Sequence, residues 1–372
     1  MRVLILSSNN GGGHNAAAHA LRELFEAHGD VCRLEDCLSF ISEDVSDAVA
    51  KSHSFVYRHA PKLFASGYRH TQRHPETFKE HHNGRRMLRL GRRNLGRTIM
   101  EDGCDAVICT HVFASLMLTD ACRKYDLRLP TAVVETDYTC TPGAQSGDLD
   151  WHFIPAPSLK PELMALGVPE RKIIASGIPV RNAFYTRRDK RQARRELGLE
   201  EEGRLLLMMG GSMGAGPVPQ LSAALREHMD RDTRVCVVCG TNRGLRDSLT
   251  AEYRDDPRFH ILGYTGDVAP LMDAADLLLT KPGGITVTEA AVKRLPMVLV
   301  ESVAGCEAYN LNFFIQNGGA ATADTPRALA DLSLTLLRDD ARRAQMSRAL
   351  DAVAALNDRE IIRKKLYAYS PR

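Results

Sequence analysis

Residues 2–17 read RVLILSSNNGGGHNAA, and residues 204–219 read RLLLMMGGSMGAGPVP. Each starts as an apolar run of strand length, breaks at glycines and continues into a helical pattern. That is the opening strand–turn–helix of a doubly wound α/β domain, and it occurs twice, roughly 200 residues apart. Outward from these two starts, strand-like runs fall at 2–7, 31–35, 105–110, 131–135, 151–154, 172–175, 204–209, 233–239, 258–262, 276–280 and 297–300. Between most of them, apolar residues recur at i, i+3, i+4, as in 15–27, 113–125, 218–229 and 284–293. Alternation of strands and helices builds parallel sheets covered by helices. A chain of 372 residues is long for one domain, and each half is large enough for its own core. The proline-rich stretch 155–180 reads as a hinge, and 326–369 reads as helices only. The expected division is 1–160, 161–339 and a helical block 340–372 packing back toward the first domain.

Composition is that of a soluble globular protein, 44% hydrophobic and 26% charged. The net charge of +3 hides an asymmetry. Residues 51–100 carry 12 Lys/Arg against Glu76 and Glu80, with six histidines besides. A local basic excess of this size suits an anionic partner, a lipid surface or a nucleic acid. No run approaches the roughly 18 apolar residues of a membrane span, and Val3–Leu6 is too short for a signal-peptide core. The nine cysteines form no framework. Cys236 and Cys239 make a C-x-x-C, but in a strand an odd and an even position point to opposite faces, so the thiols diverge. A reducing, cytoplasmic setting is the plain expectation.

In a parallel sheet, ligands bind beyond the C-terminal strand ends. Glycines there let backbone N–H groups approach an anion, with a helix N-terminus behind them. Gly11–Gly13 fit that role, and His14 falls in the first turn, where the helix dipole opposes its protonation. A neutral imidazole is what a general base requires. The plainer alternative is an exposed polar residue after a tight turn. Gly11-x-Gly13-x-x-Ala16, with Glu35 or Asp36 about 20 residues on, also fits a degenerate dinucleotide fingerprint weakly. The richer stretch is 277–320. A strand ends at Thr280, and Lys281-Pro282-Gly283-Gly284 leads into a helix near Ile285. The glycines and first helical amides suit a diphosphate, Pro282 stiffens the turn, and Glu289 lies where a carboxylate can accept from both hydroxyls of a ribose.

This stretch resembles the donor site of GT-B glycosyltransferases of family 28, closest to bacterial diacylglycerol glucosyltransferases and plant monogalactosyldiacylglycerol synthases. The resemblance spans nearly the whole chain: GGGHNAAAHAL (11–21), VVETDYTCTP (133–142), GGSMGAG (210–216), VCGTNRGL (238–245), LGYTGDVAPLMDAADLLLTKPGG (262–284) and AGCEAYN (304–310) follow in the family's order. It implies two Rossmann-like doubly wound parallel-sheet domains facing a central cleft. It also implies an inverting, metal-independent hexosyl transfer from a UDP-sugar, with no cofactor. On that pattern His14 matches the base, and Asp137 an acidic residue that orients the base or contacts the acceptor. Gly12, Gly13, Tyr138 and Thr141 lie on the acceptor side. Gly211, Ser212 and Gly214 match the loop near the phosphates, and Tyr264 and Thr265 the segment reading the uracil. Lys281, Pro282, Gly283, Gly284 and Ile285 match the phosphate turn, and Glu289 the ribose ligand. Cys306, Glu307 and Asn310 match the sugar-side segment. Two positions depart from the family: Thr141 stands where histidine is frequent, and Cys306 where glutamine is usual, although a thiol hydrogen-bonds to hydroxyls poorly.

No Asp-x-Asp triplet offers a metal seat; Asp148-Leu-Asp150 comes nearest and lies before a strand. Residues 84–100 put Leu88, Leu95 and Ile99 on one helical stripe with arginines around it. One reading is a packed helix with a solvated basic face. The other is an interfacial element meeting anionic lipid through Arg85, Arg86, Arg89, Arg92 and Arg93, with Phe55, Tyr57, Phe64 and Tyr68 as apolar anchors. The second reading suits a lipid acceptor and peripheral attachment to the cytoplasmic face of a membrane. No nucleic-acid module is visible. Other outcomes for the same scaffold are transfer to a soluble or non-glycerolipid acceptor, a UDP-N-acetylglucosamine epimerase-like isomerase and a non-catalytic nucleotide-sugar sensor.

Overall fold

A computed structural model describes residues 1–9, 11–60, 63, 66–67, 70–71, 74, 78, 82–300 and 305–369. The chain divides into two compact units. The first comprises Met1–Asn182, Val303–Cys306 and Leu356–Arg372; the second comprises Ala183–Ser302 and Glu307–Ala355.

The first unit holds β1 (Arg2–Ser7), β2 (Val31–Asp36), β3 (Ala106–Cys109), β4 (Thr131–Val134), β5 (Trp151–Ile154) and β6 (Ile173–Ala175). They form one sheet in the order β2-β1-β3-β4-β5-β6, every pair parallel. Strand alternation sorts the side chains between two cores. Leu4, Leu6, Val107, Cys109 and Val133 face one layer of helices. Val3, Ile5, Ile108, Ala132 and Val134 face the other, where Ile362 and Leu366 of the C-terminal helix Glu360–Tyr367 complete the packing. Leu88, Leu95 and Ile99 of helix Asn83–Glu101 are buried in the first core, the stripe their spacing indicates.

The second unit holds β7 (Arg204–Met209), β8 (Thr233–Val238), β9 (Phe259–Leu262), β10 (Leu277–Thr280), β11 (Met297–Leu299) and β12 (Ala320–Ala321). Their order is β12-β11-β10-β7-β8-β9, again all parallel. Renumbered within the unit this is 3-2-1-4-5-6, the order of dinucleotide-binding domains. Val235, Val237 and Cys239 share one core face, and Cys236, equally buried, is not among them, so the two thiols do diverge.

The boundaries differ from the sequence expectation. The proline-rich stretch 155–180 is no hinge: it contains β6, which pairs with β5 through His152–Ile154, so the first unit runs to Asn182 rather than to 160. The terminal block is divided too. Helix Asp340–Ala355 stays with the second unit, where Leu350 packs against Gly319, and only Leu356 onward joins the first. The strand β12 has no sequence signal, being two alanines long.

In a doubly wound sheet the ligand crevice opens where neighbouring strands carry their connections in opposite directions. That point lies between β1 and β3 in the first unit and between β7 and β10 in the second. Both glycine-rich turns follow one of these strands.

Candidate functional site

At the end of β1, Gly11 takes φ 116°, which favours glycine, and helix Gly12–Glu26 starts behind it without a side-chain cap. His14 sits in its first turn, half-buried. Its Nδ1 lies 2.7 Å from the carbonyl oxygen of Thr110, at the end of β3, and 3.0 Å from Thr136 Oγ1, just past β4. A carbonyl oxygen only accepts, so Nδ1 carries the proton and Nε2 keeps its lone pair. Burial lowers the His14 pKa to about 4; the Thr110 hydrogen bond opposes this, and the nearby His53 adds to it. The His14 imidazole is therefore neutral, with burial rather than the helix dipole as the leading cause.

His111, which follows Thr110, meets His14 edge to face with ring centroids 4.6 Å apart. It caps helix Val112–Tyr125 by accepting the Phe113 N–H at Nδ1, and burial holds it well below the usual histidine range. Sequence reasoning missed Thr110, His111 and Thr136. Only the parallel order β1-β3-β4 brings these distant loops to His14; the nearest signal was a threonine–histidine pair at a strand end.

The loop after β4 carries Asp137 partly exposed and Tyr138 with its ring buried. Thr141 does not present a free hydroxyl: it donates to Glu135 Oε2 at 2.5 Å. Glu135 is 3% exposed. Burial pushes its pKa up to about 7 against the bonds from Thr141, with Asp137 and Glu162 adding to the rise. Thr110 and Thr136 supply the orienting partners at His14 Nδ1. Asp36, the fingerprint acid, accepts from Asn9, the Leu38 amide and Ser46, so its carboxylate serves the local turn. Asp150 is likewise held by Thr131, and Asp148 by Lys172 and Arg123.

The candidate donor residues, all in the second unit except Cys306, follow the C-terminal ends of β7, β9, β10 and β11. Gly211, Ser212 and Gly214 turn sharply after β7. Gly214 has φ 58°, and a Cβ there would lie 2.1 Å from the Cys239 carbonyl oxygen. Gly214→Ala is expected to lower stability by more than about 1 kcal/mol, read by urea unfolding; an unchanged midpoint would show that the loop has another conformation. Thr280 Oγ1 donates to the Met209 carbonyl at 2.9 Å and ties the ends of β10 and β7 together. Gly283 is the uncapped N-cap of helix Gly284–Lys293. Pro282 and Ile285 are buried around this turn, and Asn310, fully buried, donates to the Pro282 carbonyl at 2.9 Å. Lys281 Nζ donates to Glu307 Oε1 at 2.5 Å. Glu289 is 7% exposed on helix Gly284–Lys293. Tyr264 is 71% exposed beyond β9, and Thr265 Oγ1 accepts the Asp267 N–H. Cys306 opens helix Cys306–Gln316, ahead of Glu307 and Asn310.

The predicted basic surface is only partly a surface. Arg85 is 2% exposed and grips Asp120 with two bonds, at 2.9 and 3.0 Å. Arg89 also reaches Asp120, at 3.3 Å. Asp120 lies on the neighbouring helix Val112–Tyr125, so these two arginines serve packing inside the unit. Arg86 and Arg93 are exposed and Arg92 partly so, beside exposed Met87 and Leu90, with Phe55 exposed on helix Glu43–His59. Phe64, Tyr68 and the Tyr57 side chain lie outside the described residues. Among the described residues, no helix is long and apolar enough to cross a membrane.

Residues 14–180 match the monogalactosyldiacylglycerol (MGDG) synthase family, and residues 205–361 match the glycosyltransferase family 28 C-terminal domain. The processive diacylglycerol beta-glucosyltransferase of Bacillus subtilis is 28% identical over 97% of this chain and 93% of its own length. Among solved structures, Acinetobacter baumannii MurG superposes with a TM-score of 0.62 at 16% identity, covering 99% of each chain. A putative UDP-N-acetylglucosamine 2-epimerase from Listeria monocytogenes gives 0.65 at 15% identity, covering 98% of this chain and 96% of its own. Such likenesses establish the GT-B type of α/β fold; a fold shared by a MurG and an epimerase does not choose the chemistry.

Proposed function

We propose that this chain, which belongs to the family 28 glycosyltransferases with an MGDG-synthase-type N-terminal part, moves a hexose from a UDP-sugar to a lipid hydroxyl, with diacylglycerol as acceptor. The observation that carries the reading is His14, neutral and held through Nδ1 by Thr110 beyond the ends of β1 and β3, which leaves Nε2 as the proton acceptor.

The chemistry follows from the residues. The acceptor hydroxyl oxygen attacks the anomeric carbon from the face opposite the diphosphate, so the configuration inverts. Its proton passes to His14 Nε2. The bond from the anomeric carbon to the diphosphate oxygen breaks, and its electron pair leaves with UDP. The amides of Gly283, Gly284 and Ile285 and the Lys281 ammonium meet the charge that grows on the diphosphate. Glu289 takes the ribose hydroxyls, and Tyr264 with Thr265 borders the base. Glu307 serves the sugar. This scheme needs no metal, since amides and an ammonium supply the positive field. Asp137 meets the acceptor side.

The membrane contact we assign to the outward face of helix Asn83–Glu101. Arg86 and Arg93 flank Leu90, 68% exposed, and Met87, 39% exposed, so cations and apolar tips share one face. Arg86→Glu with Arg93→Glu is expected to cut binding to anionic vesicles at least tenfold, each basic residue being worth about 1 kcal/mol near such a surface. Wild-type binding falls with added salt; salt-insensitive binding in sedimentation would remove the electrostatic part of this assignment.

The test of the reaction is UDP release from UDP-glucose, UDP-galactose and UDP-N-acetylglucosamine, with and without vesicles containing diacylglycerol and anionic lipid. Release dependent on diacylglycerol is expected. Conversion of the UDP-sugar without acceptor would point to an isomerase, and UDP binding without turnover to a sensor.

A further inference from the structure

Lys281 stands at the junction of three donor-side segments. Its stem lies against the glycine turn after β7: a Cβ on Gly211 would be 2.7 Å from Lys281 Cε and 3.8 Å from Nζ. Its ammonium also lies 3.7 Å from where a Cβ on Gly283 would sit, beside the turn after β10. The same ammonium is bonded to the Glu307 carboxylate, and both side chains are largely withdrawn from water, 24% and 13% exposed. The cation the phosphate seat offers is therefore held by the carboxylate assigned to the sugar.

A diphosphate on the Gly283–Ile285 amides carries more charge than one carboxylate and approaches the same ammonium. A lysine is a compact charge on a flexible stem and re-aims at little cost. Glu307 sits in the first turn of helix Cys306–Gln316, and Asn310 of that helix is separately anchored to the Pro282 carbonyl. The helix thus keeps its place when Lys281 changes partner, and only side chains need move.

We propose that Lys281 links recognition of the diphosphate to recognition of the sugar by exchanging partners: the diphosphate draws the ammonium from Glu307, and the released carboxylate then accepts hydrogen bonds from sugar hydroxyls. Sugar hydroxyls gain this acceptor only when the diphosphate has drawn the ammonium away, which favours an intact nucleoside-diphosphate sugar over the free diphosphate. This rests on the reading of the second unit as a UDP-sugar site.

The experiment is calorimetric titration of UDP and of uridine into the wild-type chain, Glu307→Gln and Lys281→Met, with UDP-sugar turnover measured alongside. Glu307→Gln removes the competing carboxylate with little change in shape. It is expected to bind UDP several-fold tighter, to bind uridine as before and to lose turnover. Lys281→Met is expected to bind UDP about tenfold more weakly, again with uridine unchanged. Thermal melts of both variants check that the unit stays folded. Unchanged or weaker UDP binding by a folded Glu307→Gln would overturn the exchange. Failure of the wild-type chain to bind UDP would instead overturn the nucleotide-sugar reading beneath it.

Discussion

His14→Ala lowers turnover by about 100-fold or more and leaves UDP affinity unchanged. The expectation rests on one imidazole doing one task. Thr110 and Thr136 hold its Nδ1, so Nε2 is its only free proton acceptor. The UDP-binding groups we assign lie on other strands, in the second unit, so the loss falls on kcat rather than on nucleotide binding. The pH profile distinguishes a base from a structural ring. Burial lowers the His14 pKa from 6.5 to about 4, so its base form persists down through pH 5. kcat/KM should stay free of a histidine limb near pH 6.5 and fall only toward about 4. The stability term has the same sign. The unfolded chain takes this proton at 6.5 and the folded chain only near 4. The His14 contribution is complete above 6.5 and is lost as the pH falls toward the folded value. Glu135 acts in the opposite sense: its pKa rises from 4.5 to about 7, so its contribution is present below 4.5 and is lost as the pH rises through 7. An acid limb at 6.5, or wild-type turnover in His14→Ala, would show that another group is the base.

Asp120→Ala is expected to destabilise the first unit by about 3–5 kcal/mol, because it strands a buried arginine. Arg85 and Asp120 are 2% and 5% exposed, and the guanidinium spends two donors on the carboxylate. Removing the acid leaves Arg85 charged and out of water, with Ser146 O at 3.4 Å a weak substitute. Arg85→Met, combined with Asp120→Leu, replaces the pair by apolar volume and should recover much of the loss. The readout is urea unfolding followed on the isolated chain. If Asp120→Ala costs under 1 kcal/mol, Arg85 reaches solvent and belongs with Arg86 and Arg93 after all.

Much of the architecture was legible in the chain. Eleven of the strand runs quoted at the outset correspond to strands β1–β11, because buried parallel strands are short apolar runs bounded by turn residues. The repeated strand–glycine–helix start announced two doubly wound units, since glycine marks where the backbone must turn tightly or lie close to another segment. The candidate site was legible to the extent that it is local. Gly211, Lys281, Pro282, Gly283, Glu307 and Asn310 follow strands in sequence and meet in space. Arg85 was misread because its neighbours in sequence are solvated arginines, whereas its partner Asp120 lies on another helix.

The sequence by itself determined the two glycine turns, the strands whose C-terminal ends they follow, and the identity of the ionisable groups there. These depend on residue type and short-range periodicity. The tertiary structure alone decided which of those groups act together. It put Thr110 and Thr136 on His14 and so settled the tautomer. It buried Glu135 beneath Thr141 and Arg85 against Asp120, and it bound Lys281 to Glu307. All but the Glu135–Thr141 pair depend on strand order and helix packing that bring segments tens of residues apart into contact, and burial then sets the charge state that composition leaves open.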